Sequence, residues 1–279
     1  MIIRKSPAEI KIMARSGKVI ADMHEKVAAA VRPGVSTGEL DQIAEDYVRA
    51  QGAVPAFLGY GGHGTRIPFP GTLCTSVNEE IVHGMPSRQQ ILQEGDLIKL
   101  DAGCVLDGYF SDSAVTWIVG GEDTVAPAVA DLVRITRESL WVGLLAALPK
   151  KRIGDISAAV EAVGNRHGYG IVREYVGHGV GRALHEDPQV PNHGPAGRGP
   201  KLSVGLVLAI EPMFNLGTDD TLTLEDEWTV VTADGAMSAH WEHTVAITPD
   251  GPLVLTARSD ETRVPLEEPD RIPVQLSSV

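Results

Sequence analysis

Asp101 and Asp112 stand in the run from Asp96 to Trp117, which otherwise consists largely of residues that bury well. The run reads as two apolar strands joined by a tight turn at Leu106-Asp107-Gly108, the usual hairpin signal. With the loop centred between Leu106 and Asp107, the two carboxylates fall directly opposite one another. Their Cβ atoms would lie roughly 4.5–5.5 Å apart on one face. Two ionised carboxylates that close in a dry sheet repel, and each loses hydration at a cost of several kcal/mol. Lys99 is on the same strand and reaches only along its edge, so no cation within the hairpin compensates them. One metal ion, or a pair, would. Equally open from these residues alone is Asp112 in solvent with Asp101 capping the turn.

Three more residues carry the same kind of chemistry. His178 lies in Gly177-His178-Gly179-Val180-Gly181-Arg182, where flanking glycines let the backbone approach closely and leave the imidazole uncrowded. Glu211 ends the apolar run Val207-Leu208-Ala209-Ile210, just before Pro212. Glu is seldom fully buried without a partner. In His240–Ile247, strand alternation puts Glu242, Thr244 and Ala246 on one face, expected to be the inner one. Each has a plain alternative: a loop histidine, a strand reaching the surface, a half-exposed edge. Taken together, four carboxylates, one imidazole and no thiolate suit two hard-to-borderline divalent ions, Co, Mn, Fe, Zn or Ni.

The elements that must position these residues can be read in order. Ser6-Pro7-Ala8-Glu9 is a capping box with Pro at the first helical position, predicting a helix to about Ala30. Ser36-Thr37-Gly38-Glu39 opens a second, ending at Gln51-Gly52. The stretch from Gly59 to Pro70 is Gly- and Pro-rich and reads as a loop long enough to carry function. Strands follow at Thr72–Val77 and Ile81–Val82, then the hairpin. The order then repeats: helices from Pro127 to about Leu148 and from Asp155 to His167, and strands at Val172–Val176, Val204–Ile210, near Glu227–Val231 and Ala239–Ile247. Helix, helix, antiparallel strands, twice over, predicts an α+β fold: two similar halves forming one curved antiparallel sheet with helices on its outer face. Residues 1–258 are expected to be one catalytic domain. The Pro- and Glu-rich tail, 259–279, is expected to be a surface strap or disordered.

A net charge of −13 argues against a nucleic-acid-binding surface. No run of 18 apolar residues is present to span a membrane, and the first residues have no apolar signal core. Cys74 and Cys104 alone build no disulfide framework. A cytoplasmic protein is expected.

Over residues 5–257 the chain resembles the type I methionine aminopeptidases, the short bacterial form of the pita-bread metallopeptidases. The resemblance is carried by Gly34-Val35-Ser36-Thr37, by Asn78-Glu79-Glu80-Ile81-Val82-His83-Gly84-Met85-Pro86, and by Asp101 with Asp112. Further on it is carried by Gly177-His178-Gly179-Val180-Gly181, His185-Glu186-Asp187-Pro188, Ala209-Ile210-Glu211-Pro212-Met213 and Trp241-Glu242-His243-Thr244. It implies removal of the initiator Met from nascent chains whose second residue is small, with a monomeric enzyme meeting its substrates near the ribosome. It also implies that Asp101 binds one metal through both oxygens, that Asp112 and Glu242 bridge two, and that His178 and Glu211 complete the other site. Water activated by the ions is then the nucleophile, and Glu211 shuttles its proton. His83 and His185 match residues that contact the substrate and stabilise the tetrahedral intermediate. Phe57, Tyr60, Phe69, Cys74 and Trp228 are expected to form the methionine pocket, where sulfur–aromatic contacts stabilise by roughly 0.3–1.5 kcal/mol each. The chain departs from the family in Gly62–Phe69, which reads as an insertion, and in Leu184, which stands where an aromatic residue is usual. Two other readings use the same motifs: an Xaa-Pro peptidase of the prolidase or aminopeptidase P kind, and a metal-free pita-bread binding protein. The prolidase kind normally carries a large extra N-terminal domain. The binding protein would have lost ligands that are all present here.

Overall fold

The strands Leu97–Leu106 and Tyr109–Ile118 form the long hairpin at the centre of the chain. They do so in a computed structural model that describes residues 1–62 and 67–261, together with the strand backbone at 275–276. The turn is a two-residue one: Asp107 (φ 51°) and Gly108 (φ 80°) both adopt positive φ, the requirement of a type I′ turn, whose twist matches that of the strands. This moves the loop centre by one residue from the expected register. Asp101 therefore pairs with Ala114, and Asp112 with Gly103. The carboxylates are diagonal rather than directly opposite, yet a shift of two positions keeps them on one face.

Both N-terminal helices begin at their capping boxes. The helix α1, Pro7–Ala28, starts with the Ser6 side chain accepting from the Glu9 N–H while Glu9 accepts from the Ser6 N–H. The helix α2, Thr37–Ala50, repeats this with Ser36 and Glu39. The second half supplies α3, Pro127–Ala146, and α4, Ile153–His167, which ends at Gly168 in the left-handed conformation. In the first half the sheet comprises Val54–Pro55, Cys74–Val77 and the hairpin strands, with α1 packed on the hairpin. In the second, the sheet runs through Gly251–Val254, His243–Thr248, Val207–Ile210, Gly177–Gly179 and Glu186–Val190, and α3 packs on α4. Aromatics are sparse, and the contiguous core is built mainly of Val, Leu, Ile and Ala around Trp141 and Phe214.

A polar seam joins the halves. The Asp112 N–H donates to Thr244 Oγ1 (3.0 Å), and that hydroxyl donates to the Asp112 carbonyl (2.7 Å). The Glu242 N–H donates to the Ala114 carbonyl (2.9 Å), and Ser113 Oγ donates to the Glu242 carbonyl (2.8 Å). Thr116 Oγ1 donates to the His240 carbonyl and accepts from the His240 N–H. These bonds carry the edge of one half onto the other, so the two acidic positions of the hairpin face the second half across a common cleft.

Several expectations are corrected. The strand expected at Val172–Val176 is only Gly170–Ile171. The continuous strand through Glu242 is two strands, Ser238–His240 and His243–Thr248, because the Trp241 and Glu242 N–H groups bond to Pro212 and Ala114 instead of a regular ladder. The tail is not superficial at its start. Arg258 (4 % exposed) and Glu261 (1 %) are buried, with Glu261 paired to Arg258 and to His243 Nε2 (3.1 Å). The guanidinium groups of Arg258 and Arg137 lie over the Trp241 ring at 5.3 and 5.0 Å from its centroid. Residues 262–274 and 277–279 of the tail lie outside the described residues.

Candidate metal centre and substrate pocket

The five candidate ligands reach one cleft from five strand or strand-end positions. Asp101 and Asp112 come from the hairpin, His178 from the short strand Gly177–Gly179, Glu211 from the end of Val207–Ile210, and Glu242 from the break after His240. His178 Nε2 lies 3.8 Å from Asp112 Oδ2 and 3.7 Å from Glu211 Oε1. One ligand atom each from Asp112, His178 and Glu242 falls within 4.8 Å of the others.

All four carboxylates are held in a way that costs free energy without a cation. Burial is the main cause, and mutual repulsion adds to it for Asp101, Glu211 and Glu242. Asp112 is pushed up to about 7 and Glu211 to about 8, while Asp101 and Glu242 are displaced well above the carboxylate range. Asp101 Oδ1, Asp112 Oδ1 and Glu242 Oε1 are buried with no hydrogen-bond partner. Lys99 shares the face of Asp101, but its ammonium donates to the Asn78 carbonyl (2.7 Å) and leaves the carboxylates uncompensated. His178 is held down to about 4, by burial first and by His185 second, so it offers a neutral nitrogen at ordinary pH. Orphaned carboxylate oxygens converging on a neutral imidazole fit hard-to-borderline divalent ions.

The same arrangement predicts how metal-free protein responds to pH. Carboxylates raised in the folded state and ordinary (near about 4) in the unfolded chain mean that the folded state binds more protons between those values. The stability they contribute is fully present below about pH 4 and is lost as pH rises through about 7 and 8. The Tm of stripped protein is expected to fall from pH 5 to 9, and Mn²⁺ to flatten the slope. A Tm that rises with pH over that range in stripped protein would contradict the carboxylate cluster.

Above the ligands lies a cavity of about 340 Å³. It is lined by the five ligands, by His83 and His185, and by every residue expected in the methionine pocket: Phe57, Tyr60, Phe69, Cys74 and Trp228. Phe57, Phe69, Cys74, Leu184 and Trp228 form one apolar cluster, with Phe69 edge-on to Trp228 at 5.3 Å between centroids. Tyr60 differs from the rest. The residue is 42 % exposed at the rim, and its hydroxyl is 2.8 Å from His185 Nδ1. The His185 ring lies 4.2 Å from that of His178. His83 adopts positive φ (60°) and is gripped edge-on by Tyr175 at 5.6 Å and by Trp228 at 6.3 Å.

Several lining residues were missed from sequence, Tyr175 and His240 among them. Alternation back from Glu242 points to His240, two residues earlier on the same face. Tyr175 carries no local signal, because it meets His83 only through the fold.

The chain belongs to the metallopeptidase family M24, whose model matches residues 11–249. Among curated relatives, a methionine aminopeptidase of Clostridium acetobutylicum is 46% identical over 92% of this chain and 99% of its own length. Methionine aminopeptidase 1 of Bacillus subtilis is 48% identical over the same shares. The crystal structure of a methionine aminopeptidase from Thermotoga maritima superposes with a TM-score of 0.88 at 40% identity, covering 92% of this chain and all of that one. A prolidase from Pyrococcus furiosus shares the fold, with a TM-score of 0.72 at 22% identity, and this chain covers 66% of it. The α+β pita-bread fold is therefore as expected, and the chain is a metallopeptidase of the methionine aminopeptidase kind.

Proposed function

We propose that the enzyme removes the N-terminal methionine from nascent polypeptides whose second residue is small, with two divalent ions held by Asp101, Asp112, His178, Glu211 and Glu242. One observation carries this reading: five convergent donors form the floor of a cavity whose walls are apolar and aromatic. When bound, divalent ions supply Lewis acidity at the scissile carbonyl and make water nucleophilic at neutral pH.

The chain's own groups supply the rest. Glu211, a carboxylate on the floor of the cavity, is placed to take a proton from attacking water and deliver it to the leaving amine. In the tautomer whose Nδ1 accepts from the Tyr60 hydroxyl, the proton of the neutral His185 ring sits on Nε2, where it can hydrogen-bond a substrate oxygen as charge develops. His83, fixed between Tyr175 and Trp228, presents a second polar group to the same cavity. Phe57, Phe69, Cys74, Leu184 and Trp228 enclose an unbranched apolar side chain, and a thioether gains sulfur–aromatic contacts there. Leu184, standing where an aromatic residue is usual in the family, is part of that wall. Nascent N-termini are the partners in this reading, and the enzyme works as a cytoplasmic monomer. Among the described residues no helix is long and apolar enough to cross a membrane.

A panel of Met-Xaa and Xaa-Pro peptides, assayed with each metal added to stripped protein, tests the assignment. Hydrolysis of Met-Gly, Met-Ala and Met-Ser is expected to exceed that of Met-Ile and of Xaa-Pro peptides by tenfold or more, about 1.4 kcal/mol in the transition state. Preference for Xaa-Pro would overturn it in favour of the prolidase reading. By the same rule Met1-Ile2 of this chain, with a branched second residue, is expected to remain uncleaved, which mass spectrometry of the protein from cells would check.

A further inference from the structure

His240 is the most conspicuous polar side chain that the reaction described above does not use. It is 1 % exposed and lines the cavity, yet neither ring nitrogen has a hydrogen-bond partner. Leaving a buried donor unmade costs about 1–3 kcal/mol, so the ring's place asks for an acceptor in the working enzyme. Its backbone is not free to move: the Thr116 hydroxyl bonds both the His240 N–H (3.0 Å) and its carbonyl (2.6 Å), and strand pairing sets His240 opposite Met213. Its Nε2 stands 3.8 Å from Glu211 Oε2. The other oxygen of that carboxylate, Oε1, stands 3.7 Å from His178 Nε2. The two oxygens of Glu211 thus face different imidazoles, one on the ligand side and one on the far side. Burial favours the neutral ring, which keeps a single N–H to donate.

We infer that His240 is a positioning residue whose Nε2–H holds the outer oxygen Oε2 of Glu211 and so turns Oε1 toward the metal side of the cleft. This rests on the reading of Glu211 as a metal ligand. Groups bonded to the far side of a ligand orient it, and their loss typically lowers metal affinity or activity by about 10–100-fold. A shift of about 0.6–0.9 Å brings the present 3.8 Å separation to hydrogen-bond length, within the range of a side-chain adjustment.

The test is titration of stripped protein with Co²⁺, followed by calorimetry and by the visible absorption of the bound ion, a readout independent of turnover. Gln places an N–H donor close to where Nε2 of His lies, whereas Leu fills the space without one and Asn stops short. His240→Gln is expected to bind Co²⁺ within about threefold of the parent with the same spectrum. His240→Leu is expected to lose about 10–100-fold in affinity for one of the two ions and to alter the absorption bands. Thermal melts of the stripped proteins check the fold; if the leucine variant melts early, His240→Asn takes its place with the same expectation. Parent-like affinity and spectrum in the variant without the donor overturns the inference. So does a glutamine variant as weak as the leucine one, since shape alone would then explain the effect. A raised KM for Met-Ala with metal binding unchanged overturns it too, by making His240 a substrate contact. Glu211→Ala separates the two levels. If it leaves Co²⁺ affinity intact, the ligand reading of Glu211 falls; if it weakens Co²⁺ while His240→Leu does not, only this inference falls.

Discussion

Exhaustive chelation is expected to bring hydrolysis of Met-Ala peptides to background, and added Mn²⁺, Co²⁺ or Fe²⁺ to restore it. The magnitude follows from what the protein lacks on its own. Among the described residues lining the cavity, the charged side chains are carboxylates, and the histidines are the only other titrating bases. Nothing cationic is present to polarise a carbonyl. A bound metal contributes several kcal/mol of transition-state charge stabilisation, and each 1.36 kcal/mol is tenfold in rate, so the loss should be on the order of 10³-fold or more. Without ions Asp101, Asp112, Glu211 and Glu242 retain protons near neutrality, so re-metallation releases protons and should be faster at higher pH. Full turnover in protein with no metal detectable by mass spectrometry would end the metal-dependent reading.

The second large effect is expected from Glu211→Gln, set beside Asp112→Asn. Gln keeps the shape and a carbonyl oxygen but can neither take up a proton nor carry charge. With Asp101, Asp112, His178 and Glu242 intact, the variant should fold and hold at least one ion. Its kcat should fall by about 10²–10⁴-fold, the contribution of a lost general acid–base, and further if one site is weakened. Asp112 lies within the cluster, its Oδ2 3.8 Å from His178 Nε2 and one of its ligand atoms within 4.8 Å of ligand atoms of both His178 and Glu242. Asp112→Asn should therefore lower metal content directly, with turnover falling in proportion. Metal stoichiometry measured beside kcat for each purified variant separates the roles. Near-normal turnover with two ions bound in Glu211→Gln would remove Glu211 as the proton shuttle.

What could be read without coordinates was whatever depends on residue type or on neighbours within a turn. The capping boxes at Ser6–Glu9 and Ser36–Glu39 are local hydrogen-bond circuits four residues long, so their residues alone announce them. Asp101, Asp112, Glu211 and Glu242 were conspicuous because a carboxylate inside an apolar run must have a partner, wherever that partner lies. Tertiary structure decided the rest. The pairing of Asp101 with Ala114 depended on one residue of turn placement, which the Asp-Gly backbone settled in favour of a type I′ geometry. The break at Trp241-Glu242 depended on Ala114 and Pro212 as acceptors far away in the chain. The Thr244–Asp112 and Thr116–His240 bonds join residues 132 and 124 positions apart, and no local pattern encodes such a pair. Glu261 read as part of a polar tail, but its pairing with His243 and Arg258 makes it part of the interior. Local propensities act over a few residues, whereas the choice of partner for a buried polar group is made by the packing of the whole chain. That is why the ligand types were legible from the residues, and why the orientation of Glu211 between His178 and His240 was visible only in the fold.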